Sequence, residues 1–134
     1  MGHSILDDTM AVMTWQEIER YSNDGALVLW PISVLEEHGP HMPIAVDIYL
    51  GYILSRNIRE RLSQKGVLSI IAPPNYWGIN NVTAAFPGSF TLRRETLKAL
   101  LYDTLASLKR WGFDHVFIFD LHGDVNHRDT VLAG

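Results

Sequence analysis

Three short apolar runs, each ending in a proline-rich or polar break, constrain this chain more than any other feature. They are Ala26-Leu27-Val28-Leu29-Trp30, Val67-Leu68-Ser69-Ile70-Ile71 and His115-Val116-Phe117-Ile118-Phe119. Continuous apolar runs of this length fit strands covered on both faces, as in a parallel sheet. Pro31 closes the first run and Pro73-Pro74 the second. Helical patterns lie between them. Thr14-Trp15-Gln16-Glu17 has the form of a capping box and predicts a short helix ending near Asn23-Asp24-Gly25. A second helix is expected from about Asp47, with Leu50, Ile53, Leu54, Ile58 and Leu62 on one stripe and Gly66 at its end. Leu97, Leu100, Leu101, Thr104, Leu105, Leu108 and Trp111 predict a third helix, stopped by Gly112, and Asn126 to Gly134 begins a fourth.

The order helix, strand, helix, strand, helix, strand, helix implies an α/β fold. Its sheet is parallel-rich, with right-handed crossovers and helices on both faces. The 134 residues suit a single domain, 1–134, with no repeat or linker. With 47% hydrophobic and 19% charged residues, the chain has enough apolar material for a core.

Ligand sites in open parallel sheets lie beyond the carboxyl ends of the strands. The first run leads into Glu36, Glu37, His38, His41 and Asp47, and the third into Asp120, His122, Asp124 and His127. Four of the six histidines thus fall on two loops expected at one sheet edge. The chain has no cysteine, which excludes disulfides, thiolate metal sites and a cysteine nucleophile. Clustered histidines and carboxylates are the donor set of a hard or borderline divalent ion. Glu36 and His38, two apart, point the same way in an extended loop. Gly123 leaves room for close approach to His122.

Each residue taken singly has a plainer reading. Asp47 at a helix start is the residue type of an N-cap, and Asp120 that of a turn. His41, between two prolines, reads as a loop residue, and Glu37 as a solvated neighbour. Tyr76 and Trp77, in the irregular segment from Asn75 to Gly88, either wall a pocket or pack at the surface.

The segment from Pro31 to Asp47, with Glu36-Glu37-His38-Gly39-Pro40-His41-Met42-Pro43 at its centre, resembles the signature of the creatininase (creatinine amidohydrolase) family. Phe86-Pro87-Gly88-Ser89 with Glu95-Thr96-Leu97, and Asp120-Leu121-His122-Gly123-Asp124-Val125-Asn126, resemble two further family segments. The resemblance runs from the first helix to the end. It implies a creatininase-like three-layer sandwich and two divalent ions, zinc, manganese or iron. Glu36 and His122 would hold one ion, His38 the other, and Asp47 would bridge them. Asp124 stands where creatininase has a further glutamate ligand. The implied reaction is hydrolysis of an amide in a small substrate by metal-activated water. Cyclic amides, formamides and peptide bonds are all within the family's range. Glu37 for glutamine, Val46 for threonine and Asp120 for asparagine depart from the pattern and alter the surroundings of the ligands. Family members are considerably longer, which implies the N-terminal part of the full fold or a shortened member. The general acid and the substrate-binding residues are unassigned.

A non-catalytic metal-binding α/β subunit or fragment is the competing reading. A nucleotide-binding domain ranks lower, since no glycine-rich loop follows a strand. The net charge of −4 gives no electrostatic footprint for nucleic acid or anionic membrane. Met1 to Asp8 has no signal-peptide pattern, and Leu6 stands where a myristoylation motif needs serine or threonine. Cytoplasmic residence is the expectation, and the resemblance implies a homo-oligomer.

Overall fold

The computed structural model describes residues 4–133; Met1–His3 of the N-terminal reading and Gly134 lie outside the described residues. After a 3-10 turn at Met10–Val12 come helix α1 (Trp15–Asn23), strand β1 (Leu27–Ile32), helix α2 (Val46–Gln64) and strand β2 (Ser69–Ile71). Helix α3 (Arg94–Arg110), strand β3 (Val116–Asp120) and helix α4 (Val125–Leu132) follow. All strand pairs are parallel, in the order β2-β1-β3, with Val28 opposite Val116 and Ile32 opposite Asp120. The alternation read from the sequence is therefore the fold.

Burial follows from the strand period of two. Val28, Trp30 and Ile32 of β1 join Ile70, Leu97, Leu101, Leu108 and Phe113 in one apolar cluster, against which α1 and α4 add Ile18, Tyr21 and Val131. On the opposite face α2 lies across β1 and β2. At Gly51 a Cβ would just reach contact distance, 3.4 Å from Pro31 Cβ and 3.4 Å from Ser33 Oγ. The Ser33 hydroxyl then donates to the Asp47 carbonyl at 3.1 Å, fixing the first turn of α2 to the end of β1. Helices thus cover both faces. The β1-α2-β2 and β2-α3-β3 crossovers pass on opposite faces, as right-handed connections require when the chain reverses direction across the sheet. The reversal leaves the switch point between the carboxyl ends of β1 and β3.

Five details differ from expectation. The apolar stripe expected on α2 is not its buried face: Leu50, Ile53 and Leu54 are exposed, whereas Ile48, Gly51, Tyr52 and Ser55 are buried. Pro31 lies inside the central strand, but the N–H it lacks would face a β2 that has ended at Ile71. Its carbonyl accepts from the Asn75 N–H at 3.0 Å. β2 is shorter than expected, because Val67 closes the α2 terminus by donating to the Leu62 carbonyl. Asp47 does not cap α2. The N-cap is Ala45, without a side-chain bond, and Asp47 sits inside the first turn. Gly123 is not needed for close approach, since a Cβ there would meet open space. Among the described residues, no helix is long and apolar enough to cross a membrane.

Candidate metal centre

β1 ends at Ile32, and the chain passes through an irregular loop to α2. The loop is anchored at both ends of its ligand segment. The Glu36 N–H donates to the Ile44 carbonyl, and the Leu35 carbonyl accepts from the Phe90 N–H. Within it, the His38 Nδ1 donates to the Glu36 carbonyl at 3.1 Å, which turns Nε2 toward the site. That Nε2 is 3.1 Å from Asp47 Oδ1. Glu36, His38 and Asp47 form a group whose donor atoms all lie within 4.8 Å of one another.

His122 enters from β3. Its Nε2 is 3.1 Å from the Ile79 carbonyl, which again leaves the other nitrogen for the site. That nitrogen, Nδ1, is buried, 2.9 Å from Glu36 Oε1 and 3.5 Å from Asp47 Oδ2. Close as these contacts are, none is directed as a hydrogen bond, and the atom has no hydrogen-bond partner. The two oxygens of Asp47 therefore face two different histidines. Glu36 is held in turn by the Thr83 hydroxyl, which donates to Oε2 at 2.8 Å. Donor atoms around one tetrahedral zinc stand about 3.3 Å apart, from bonds of roughly 2.0–2.1 Å. The observed separations match, and both histidines have the carbonyl partner that metal-ligating imidazoles commonly have on their second nitrogen. The residues fit a divalent ion.

Burial works against the charged His122 imidazole, but the adjacent Asp47 and Glu36 carboxylates outweigh it and raise its pKa above the ordinary value. Asp124 is a different case. Its Oδ1 accepts from the Asn126 and His127 N–H groups at the start of α4, and its Oδ2 from the Asn81 N–H at 2.9 Å. Burial would raise its pKa, yet the backbone donors of Asn81, His127, Asn126 and Val82 hold it below the usual carboxylate range. Both oxygens are engaged, as an N-cap and a loop clamp.

The remaining sequence candidates are distributed around this centre. Glu37 accepts from the Gly39 N–H at 2.8 Å, and His41 is exposed. Asp120 Oδ1 accepts from the His122 N–H at 3.0 Å, the turn role expected of it. Tyr76, Trp77 and Phe90 form a half-exposed aromatic row, with ring centroids 5.3 and 5.4 Å apart, running toward Leu35. The apolar cleft of about 500 Å³ beside Met10, Trp30, Pro73, Leu100 and Trp111 includes none of the ionisable groups of the centre. Thr83 and the Ile79 carbonyl were not readable as site groups. A threonine in a loop and a backbone carbonyl leave no mark in a pattern of ionisable side chains.

The comparisons agree with the fold. The creatininase family model, described as creatinine amidohydrolase, matches residues 11–132. The mycofactocin precursor peptide peptidase of Mycolicibacterium smegmatis is 27% identical over 108 residues, covering 80% of this chain and 44% of that protein. The creatinine amidohydrolase of Pseudomonas putida is 26% identical over 116 residues, covering 82% and 43%. A solved creatinine amidohydrolase superposes with a TM-score of 0.82 at 24% identity, over 93% of this chain and 48% of that one. Other solved creatininases similar in fold are a manganese form and a zinc–zinc form. The chain spans less than half the length of the curated relatives it matches. With the family model matching nearly the whole sequence, the parallel α/β fold and the structural neighbours in agreement, this chain belongs to the creatininase family.

Proposed function

We propose that this chain supplies the two-metal centre of a divalent-metal-dependent hydrolase acting on an amide bond. The substrate is a cyclic amide, a formamide or a short peptide. One observation carries the reading: the Asp47 carboxylate has one oxygen 3.1 Å from His38 Nε2 and the other 3.5 Å from His122 Nδ1. Glu36 and His122 would hold one ion and His38 the other, with Asp47 shared. Zinc or manganese suits this oxygen and nitrogen donor set. Ions held there supply Lewis acidity toward a carbonyl and toward water.

The chain's own residues do the rest. Glu36 and Asp47 place two negative charges at the mouth between β1 and β3, which offsets the charge of the cations. The Glu36 and Ile79 carbonyls fix the tautomers of His38 and His122, so that a lone pair faces the centre in each. Thr83 keeps Glu36 from rotating away. The row of Tyr76, Trp77 and Phe90 offers apolar surface for the substrate's non-reacting part. Asp124 is retained as a fifth ligand only if metal binding draws it from its cap. Homo-oligomerisation and cytoplasmic residence complete the reading.

The test is elemental analysis of the purified protein beside Glu36→Ala and His38→Ala, with hydrolysis assayed over lactams, formamides and short peptides. Metal in the parent, loss in both variants and turnover of one amide class are expected. Full occupancy in both variants would sink the site. Occupancy without turnover would favour a non-catalytic metal-binding α/β subunit or fragment.

A further inference from the structure

Behind His122 lies a second pair, buried His127 and partly buried Asp120, that the proposed reaction does not use. His127 is fully buried. Its Nδ1 accepts the Ile79 N–H at 3.1 Å, so its proton sits on Nε2, which faces Asp120 Oδ1 at 3.4 Å. Ile79 is thereby gripped from both sides: its N–H by His127, its carbonyl by the His122 Nε2–H. Asp120 also holds the His122 backbone N–H, and the two imidazoles meet edge to face with centroids 5.1 Å apart. Gly78 is shaped to this ring. A Cβ there would overlap the His127 imidazole and come within 2.7 Å of Val34 Cγ1.

The proton of His122 has two competing homes. The Glu36 and Asp47 carboxylates attract it to Nδ1, where it would block the donor atom. The Ile79 carbonyl attracts it to Nε2, which leaves Nδ1 free. We propose that His127 is a positioning residue for His122: it clamps Ile79, and the Ile79 carbonyl then fixes the tautomer and tilt that present His122 Nδ1 to a metal ion. The inference rests on the metal-site reading given above, since a free Nδ1 matters only if an ion binds there.

The experiment compares His127→Leu with His127→Asn by zinc competition against a chromophoric chelator. Leucine fills the space without an acceptor. Asparagine is smaller, but its Oδ1 can take the place of Nδ1 as acceptor for the Ile79 N–H. Leucine should weaken zinc binding by about 10- to 100-fold, the usual effect of losing an outer-shell partner. Asparagine should restore affinity to within several-fold of the parent. A purely packing role predicts the reverse order, because asparagine is the smaller side chain and leaves more of the space unfilled. Gly78→Ala, which pushes the ring off Ile79, should reproduce the leucine phenotype and serves if His127→Leu does not fold. In the unmodified protein, 15N NMR should find His127 protonated on Nε2, and finding the proton on Nδ1 overturns the clamp. Equal zinc affinity in the parent and His127→Leu overturns this inference alone, whereas no zinc binding by the parent overturns the metal reading with it.

Discussion

Asp47 and Asp124 stand at the starts of the two helices that follow β1 and β3, and they do opposite things. Asp124 is the N-cap of α4 and spends both oxygens on backbone N–H groups. Asp47 lies two residues past the N-cap of α2, which has no side-chain cap, and turns its oxygens to His38 and His122. A carboxylate at a helix start is stabilised by the helix dipole in either place. What separates the two is register: one holds its own helix together, the other leaves its helix end open and faces the switch point. A separate bond, from the Ser33 hydroxyl to the Asp47 carbonyl, ties that first turn to the end of β1.

The comparison breaks first at Asp47. Asp47→Asn keeps the shape and removes the charge shared by the two histidines. Affinity for zinc or manganese should fall by more than the roughly 10- to 100-fold typical of outer-shell changes, while the urea midpoint of the metal-free protein barely moves at a pH where His122 is neutral. Titration calorimetry and urea denaturation measure the two sides. Asp124→Ala should do the converse. Loss of the cap and of the Asn81 clamp should cost about 1–2 kcal/mol of stability, with metal affinity within several-fold of the parent. A large loss of affinity in Asp124→Ala would instead place Asp124 among the ligands.

Acid and alkali sharpen the contrast. The folded pKa of Asp124 is depressed, so its contribution is present above the unfolded value of about 3.9 and is lost as pH falls through the lower folded value. In the metal-free protein the folded pKa of His122 is raised. Its contribution is full below the unfolded value of about 6.5 and is lost as pH rises through the folded value. Urea midpoints taken against pH should therefore decline on both sides, with Asp124→Asn flattening the acid limb only. Metal must displace the same His122 proton, so affinity should climb as pH rises through that range.

Much of this was legible in the sequence because it is written in side-chain type and order. Three apolar runs gave the strands, and their alternation with helices gave parallel pairing and two covered faces; the stripe on α3 is its buried side, but the one read on α2 is exposed at Leu50, Ile53 and Leu54. The ends of β1 and β3 then had to share an edge, which brought Glu36, His38 and His122 together. Register to the single residue was not legible: whether Asp47 or Ala45 caps α2, and whether Asp124 caps or ligates, depends on where a helix begins to within one position. Backbone groups were not legible either. The Ile79 carbonyl and N–H that orient His122 and His127 have no letter of their own, and Gly78, which makes room for the His127 ring, reads in sequence only as a loop glycine.

Gly51 gives the smallest expected effect and a practical opening. The gap it leaves between α2 and β1 is one methyl group wide, with Pro31 and Ser33 at contact distance rather than in collision. Gly51→Ala should fill that slack and relieve the cost of a glycine inside a helix, adding about 0.5–1 kcal/mol of stability at unchanged metal affinity. Gly51→Val overfills it and should lever the first turn of α2, and Asp47 with it, away from the histidines. Position 51 works as a shim: its thickness sets how far apart the two halves of the centre stand, although no atom of it touches them.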